Sequence, residues 1–114
     1  MELLLLLLTT TGYKSGKKHT VPLGFLKDGT NYIVTASNAG RDQNPDWFLN
    51  LRRNPEVTIR LQGVERKVNA EVVNPKERER LWKKLMIEAP SYQRYEKQTK
   101  RTIPMVILRP ISEK

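Results

Sequence analysis

Six consecutive leucines, Leu3 to Leu8, restrict the fold of this chain more than any other feature. An unbroken apolar run is a membrane segment, a secretion signal or a buried element. A spanning helix needs about 20 apolar residues, and this run stops at Thr9-Thr10-Thr11-Gly12. A secretion signal has a basic start and a small-residue cleavage site. Here Glu2 precedes the leucines, and Lys14, Lys17 and Lys18 follow them. What remains is a strand over Leu3–Thr10, expected to be buried on both faces. With no export signal visible, a reducing cytoplasm is the expected location. A partner-binding or lipid-facing role for the leucines stays open, and with it homodimer formation and membrane contact.

Short apolar stretches between turn residues fill the rest of the chain. Thr11–Lys18 is a polar turn rich in Gly, Ser and Lys, and His19–Leu26 resumes as strand. Asp28-Gly29 makes a hairpin turn, and the β-branched stretch Asn31–Ser37 returns from it. Asn38–Asn44 reads as a loop. Asn44-Pro45 then pairs an N-cap with proline at the first helical position. That helix is expected to reach about Arg53, with Trp47, Phe48 and Leu51 toward the core. Glu56–Leu61 and Val64–Val73 pair around Gln62-Gly63. Asn74-Pro75 starts a second helix, with Glu77 placed for a capping box and a stripe of Leu81, Trp82, Leu85 and Met86. Pro90 ends it. A helical stretch over Tyr92–Thr99 leads to a final strand, Ile103–Leu108, and a charged tail. The expected order is β-β-β-α-β-β-α-α-β. Hairpins dominate it, so the fold class is mainly β with peripheral helices (α+β): an antiparallel barrel.

Length and composition narrow the chemistry. At 114 residues the chain is read as one domain, residues 1–114. A chain of this size buries roughly 65% of its unfolded surface. The absence of cysteine excludes disulfides, thiolate catalysis and cysteine-based zinc sites. One histidine, His19, cannot build a multi-histidine metal site, and no carboxylate cluster has ligand spacing, so no metal is expected. Neither a serine elbow nor a glycine-rich nucleotide loop is present. An enzyme built from these residues would leave its chemistry to a cofactor and supply binding and electrostatics itself. The net charge of +9 suits an anionic partner: nucleic acid, anionic lipid, or a small molecule with phosphate and carboxylate groups. It suits a merely solvated basic surface equally well. A barrel that binds nucleic acid displays aromatics for base stacking. Here aromatics are 7%, and most sit where helix cores want them.

Three segments are candidates for binding. Gly12-Tyr13-Lys14-Ser15-Gly16-Lys17-Lys18-His19 combines glycines, a hydroxyl and three lysines, which is what an anion cradle needs; a solvated hairpin turn reads the same way. Ala36-Ser37-Asn38-Ala39-Gly40 ends a strand in small residues, leaving backbone N–H groups free to meet a flat polar ring. Tyr92 and Tyr95 share a helix face at i and i+3 and could line a pocket or pack on the barrel. Trp47 and Trp82 read as core anchors, and Arg52-Arg53 as charge that offsets a helix dipole.

Taken in order, these pieces resemble one family. Leu-Leu-Thr-Thr-Thr-Gly-Tyr-Lys-Ser-Gly (7–16), Val21-Pro22-Leu23, Ala36–Gly40, Asn44-Pro45-Asp46-Trp47-Phe48-Leu49-Asn50-Leu51, Pro90-Ser91-Tyr92-Gln93-Arg94-Tyr95 and Thr102–Pro110 are together similar to the deazaflavin-dependent nitroreductases, over about residues 5–110. The resemblance implies a split β-barrel related to the FMN-binding split barrels. It also implies coenzyme F-420, a deazaflavin with a phosphate and an oligoglutamate tail. On it, Lys14, Ser15, Lys18 and His19, with Pro22 beside them, would hold the anionic tail. Ser37, Asn38, Ala39 and Gly40 would cradle the ring, while Asn44, Pro45 and Trp47 would form the helix start behind it. Tyr92 and Tyr95 would border the substrate pocket. The implied reaction is hydride transfer from carbon 5 of the reduced ring to an electron-poor acceptor, a nitroaromatic, quinone or enone. Ser37, Tyr92 and Tyr95 are the catalytic candidates. An FMN-binding split barrel and a noncatalytic nucleic-acid-binding barrel stand as alternatives.

Overall fold

The structure, a computed structural model, describes residues 3–111; the charged tail beyond Ile111 lies outside them. Six strands form a closed antiparallel barrel: β1 (Leu4–Thr11), β2 (Lys18–Asp28), β3 (Asn31–Thr35), β4 (Glu56–Leu61), β5 (Val64–Val72) and β6 (Met105–Pro110). Around the barrel they run β1-β2-β3-β6-β5-β4, and β4 closes onto β1 through pairs such as Leu8 with Ile59. Three helices decorate it: α1 (Asp46–Arg53), α2 (Pro75–Glu88) and α3 (Tyr92–Gln98). The expected order of elements is the observed one, with a single 3-10 turn at Asn38–Gly40 added inside the loop.

Strand alternation builds two cores. Leu6, Leu8, Val34, Val57, Ile59, Val68, Val106 and Leu108 point into the barrel, and α1 caps one end with Trp47, Phe48 and Leu51. Outside, α2 lays Leu81, Trp82 and Leu85 over Leu26, Ile33, Met105 and Ile107. The β6 run Met105–Leu108 is therefore buried on both faces. The leucine run is not, which corrects the expectation for it. Leu6 and Leu8 fill the barrel, whereas Leu4 and Leu5 are 71% and 63% exposed and Leu7 also faces outward. Among the described residues no helix covers Leu5 and Leu7, and the sequence of a strand cannot say whether its outer face will be covered.

Helix starts also differ in detail. In α2 the side chain of Asn74 accepts a hydrogen bond from Glu77 N–H at 2.8 Å. The reciprocal half of the capping box is absent, because the Glu77 carboxylate turns to Arg80 instead. In α1 the cap position is Pro45, not Asn44, and no side chain caps it. Asn44 has been recruited elsewhere, as described below.

Candidate active site

At one end of the barrel the β1–β2 turn folds back on itself. Gly12 N–H donates to Lys17 O at 2.7 Å, and Gly16 N–H to Gly12 O at 2.9 Å. Ser15 Oγ accepts from Lys17 N–H at 3.1 Å. Gly16 has a φ of 73°, in the left-handed region open to glycine. At Gly12 a Cβ would sit 2.5 Å from Ser15 Oγ and 3.1 Å from His19 Nε2, so only glycine lets these groups approach. Asn50 of α1, 4% exposed, anchors the turn. Its Oδ1 accepts from Tyr13 N–H at 2.9 Å, and its Nδ2 donates to buried Thr10 Oγ1 at 3.0 Å. The result is a pocket of about 350 Å³ walled by Lys14, Ser15, His19, Tyr13 and Trp47, with one carboxylate, Asp46, on the same wall.

A second pocket, of about 440 Å³, opens beside the strand end at Ser37, Asn38 and Ala39, with Pro22, Pro45 and Tyr92 on its other sides. Asn38 and Ala39 adopt left-handed backbone at φ 48° and 55°. Tyr92 is partly buried, and that burial, reinforced by Tyr95, raises its phenol above the ordinary value. It therefore stays protonated and able to donate at neutral pH. Its hydroxyl has no hydrogen-bond partner among the described residues.

Behind this loop lies Arg101. Its Nε donates to Arg41 O at 3.0 Å, Nη1 to Asn44 Oδ1 at 2.8 Å, and Nη2 to Ala36 O and Ser37 O, both at 3.0 Å. Burial lowers its affinity for the proton, an effect opposed by Asp42.

Val21 and Trp47 line both pockets, so the two share a wall. Lys14, Ser15 and His19 stand at the cationic end. Pro22, Ser37, Asn38, Ala39, Pro45 and Tyr92 stand at the other, with Trp47 between. Four candidates do not line either pocket. Lys18 begins β2 and turns its ammonium to Thr11 Oγ1 at 3.0 Å. Gly40 is buried against Gln98, whose Oε1 would lie 2.2 Å from an added Cβ; its role is close packing of α3 on the loop. Asn44 is held by Arg101. Tyr95 packs edge-on against Tyr92 with ring centroids 5.5 Å apart, in the outer core. Asn50 and Arg101 went unforeseen. Asn50 left one faint signal, a polar residue at i+3 from Trp47 on a buried stripe. Arg101 left none, since its partners lie 57 to 65 residues away.

Among the described residues no cluster of three or more histidine, cysteine or carboxylate groups could hold a metal, and no helix is long and apolar enough to cross a membrane.

A family model described as F420H(2)-dependent quinone reductase matches residues 1–110. The Mycobacterium tuberculosis (strain ATCC 25618 / H37Rv) F420H(2)-dependent quinone reductase Rv1261c is 37% identical over 106 residues, 90% of this chain and 71% of that one. Among solved structures, an F420-H2 dependent reductase (FDR-A) superposes with a TM-score of 0.82 at 34% identity, covering 95% of this chain and 98% of that one. Another, described as a domain-swapped dimer, gives 0.83 at 34% identity, over 95% and 81% of the two chains. The chain belongs to the F420H(2)-dependent quinone reductase family. It is an oxidoreductase whose cofactor is coenzyme F-420, and neither the FMN-binding nor the nucleic-acid-binding alternative is favoured.

Proposed function

We propose that this chain works as one split-barrel domain that reduces quinone-type acceptors, with the coenzyme lying along the wall shared by the two pockets. The single observation that carries this reading is that Val21 and Trp47 belong to both. One ligand can then lie across them with its phosphate and carboxylates at Lys14, Ser15 and His19 and its flat ring at Ser37, Asn38 and Ala39. The chemistry of the residues fits the coenzyme. A turn with cationic side chains suits a phosphate, and the backbone N–H groups of residues 37–39 have no acceptor among the described residues, leaving them for ring heteroatoms. The volumes lie in the range of small-molecule sites.

The reduced deazaflavin ring supplies a hydride when bound. The protein's own part is placement and electrostatics. Trp47 and Pro22 exclude water from the ring end. Tyr92 borders the same cleft and donates a hydrogen bond to the acceptor's carbonyl oxygen, where negative charge develops during reduction. Its phenol is protonated at neutral pH and so can donate to that oxygen, and solvent supplies the proton. Ser37 orients the ring edge.

A second copy of the chain is the proposed occupant of the uncovered Leu4, Leu5 and Leu7 surface, since the similar solved structure is a domain-swapped dimer. Light scattering at several concentrations should then return twice the 13.3 kDa chain mass. A monomer at every concentration would remove that part of the reading.

The test of the site is a tryptophan-fluorescence titration with the deazaflavin coenzyme and, in parallel, with FMN. Salt-sensitive quenching by the deazaflavin alone is expected. Preference for FMN would remove the proposed placement.

A further inference from the structure

We propose that Arg101 is a positioning residue for the coenzyme ring: its guanidinium holds the 36–44 loop in a strained shape and polarises the amides that meet the ring. This inference rests on the ring placement proposed above and adds a residue that does not line the cleft.

Two consecutive non-glycine residues, Asn38 and Ala39, stand in left-handed conformation. That region crowds the Cβ of a non-glycine residue, more for Ala39 than for Asn38, and such strain persists only where the surroundings over-determine it. Within the loop, Gly40 N–H donates to Ser37 O and Arg41 N–H to Asn38 O, at 2.9 and 3.1 Å. These bonds, with Asn38 Nδ2 donating to Gln43 O at 2.8 Å and Ala36 N–H to Pro104 O at 2.9 Å, fold the loop on itself and tie its entry, but do not fix its middle and end to the barrel. Arg101 does that. Three of its nitrogens engage four acceptors at residues 36, 37, 41 and 44, spanning the loop from its entry to the start of α1. The next turn of the same segment adds a second tie, as Thr99 Oγ1 donates to Asp42 Oδ1 at 3.0 Å and accepts from Arg101 N–H at 3.3 Å. A planar fork can span such a set; a lysine ammonium, a compact point charge, cannot.

The two carbonyls that Nη2 grips have a chemical consequence. Ala36 C=O belongs to the same peptide unit as Ser37 N–H, and Ser37 C=O to the same unit as Asn38 N–H. A cation on the oxygen side draws electron density from the nitrogen side, which strengthens those N–H groups as donors. Neither has an acceptor among the described residues, and residues 37 and 38 line the ring pocket. Arg101 thus converts its own charge into directed donors without facing the ligand.

The test uses the full chain and two probes: the intact coenzyme, and its ring-bearing fragment lacking phosphate and tail. Trp47 fluorescence reports binding of both. In Arg101→Lys, affinity for the fragment is expected to fall at least tenfold and affinity for the intact coenzyme by the same factor. The salt dependence of coenzyme binding, set at the Lys14 end, should stay as in wild type. Asn44→Ala removes only the Nη1 acceptor and should give a smaller loss with the same pattern, which keeps the test alive if Arg101→Lys fails to fold. A purely structural role would lower the melting temperature without this split between fragment affinity and salt slope. Unchanged fragment affinity in both variants would overturn the inference, as would loss of salt dependence with fragment binding intact. Failure of the wild-type protein to bind either probe would instead sink the ring placement, and this inference with it.

Discussion

Replacing Asn50 with alanine should unfasten the anion turn from the barrel at a cost that can be worked out in advance. The side chain is 4% exposed and makes two hydrogen bonds, one accepted from Tyr13 N–H and one donated to Thr10 Oγ1, a group itself 2% exposed. Each such bond contributes about 1 kcal/mol net, and a buried polar group left without a partner adds roughly 1 kcal/mol more. A loss of about 2–3 kcal/mol follows for Asn50→Ala. For a chain of this length the unfolding entropy is on the order of 0.24 kcal/mol per kelvin, so the melting temperature should drop by about 10 °C. The pair can be isolated by a double-mutant cycle with Thr10→Val, which keeps the shape of Thr10 and removes its hydroxyl. The coupling energy should be about 1 kcal/mol, read by urea denaturation of the four proteins. Affinity for the intact coenzyme should also fall, while affinity for a ring fragment should hold. A stability loss under about 0.5 kcal/mol, or additivity within about 0.3 kcal/mol, would refute the claim that this asparagine is what anchors the turn.

Four further outcomes are expected. Lys14→Ala should weaken binding of the intact coenzyme and flatten its salt dependence; unchanged affinity at low salt would take Lys14 out of the site. Tyr92→Phe should lower turnover with quinone by about tenfold or more and leave coenzyme affinity within about twofold, as removal of one transition-state hydrogen bond does; a change in melting temperature alone would make Tyr92 a packing residue. Gly40→Ala should destabilise by roughly 1–3 kcal/mol, because φ there is 80° and a Cβ would collide with Gln98; a neutral result in thermal melts would contradict the packing described. Asp28 bonds Arg80 at 2.7 Å and lies 3.5 Å from Lys84, and the Arg80 hydrogen bond holds its carboxyl below the usual 3.8. A depressed carboxylate stabilises the fold above its unfolded value and loses that contribution as pH falls through the folded one. The melting-temperature gap between wild type and Asp28→Asn should therefore be full at neutral pH and close below about pH 3.8; a gap independent of pH would show that the ion pair is not its source.

Local signals in the sequence carried the architecture well. Asp28-Gly29 and Gln62-Gly63 marked hairpins because they are tight turns whose chemistry is read within four residues, and Asn74 caps α2 as its spacing from Glu77 implied. Whether a strand is covered on its outside is a tertiary fact. Hence β6, with Met105 and Ile107 under α2, is buried on both faces, while the more apolar β1 is not. The site followed the same division. Lys14, Ser15 and His19 come together because one turn holds them, and Ser37, Asn38 and Ala39 because they are consecutive. Asn44 and Tyr95 line neither pocket, since what claims each is a distant partner: Arg101 for the first, the outer core for the second. Arg101 itself could not be found from local pattern, as an arginine before the last strand looks like any surface charge.

A crystal structure of the protein with the oxidised deazaflavin coenzyme tests the central claim most directly. The account expects the ring against Ser37, Asn38 and Ala39, the connecting chain past Val21 and Trp47, and the phosphate at Lys14, Ser15 and His19. A ring lodged in the Lys14 pocket, or a coenzyme bound away from the shared wall, would contradict it.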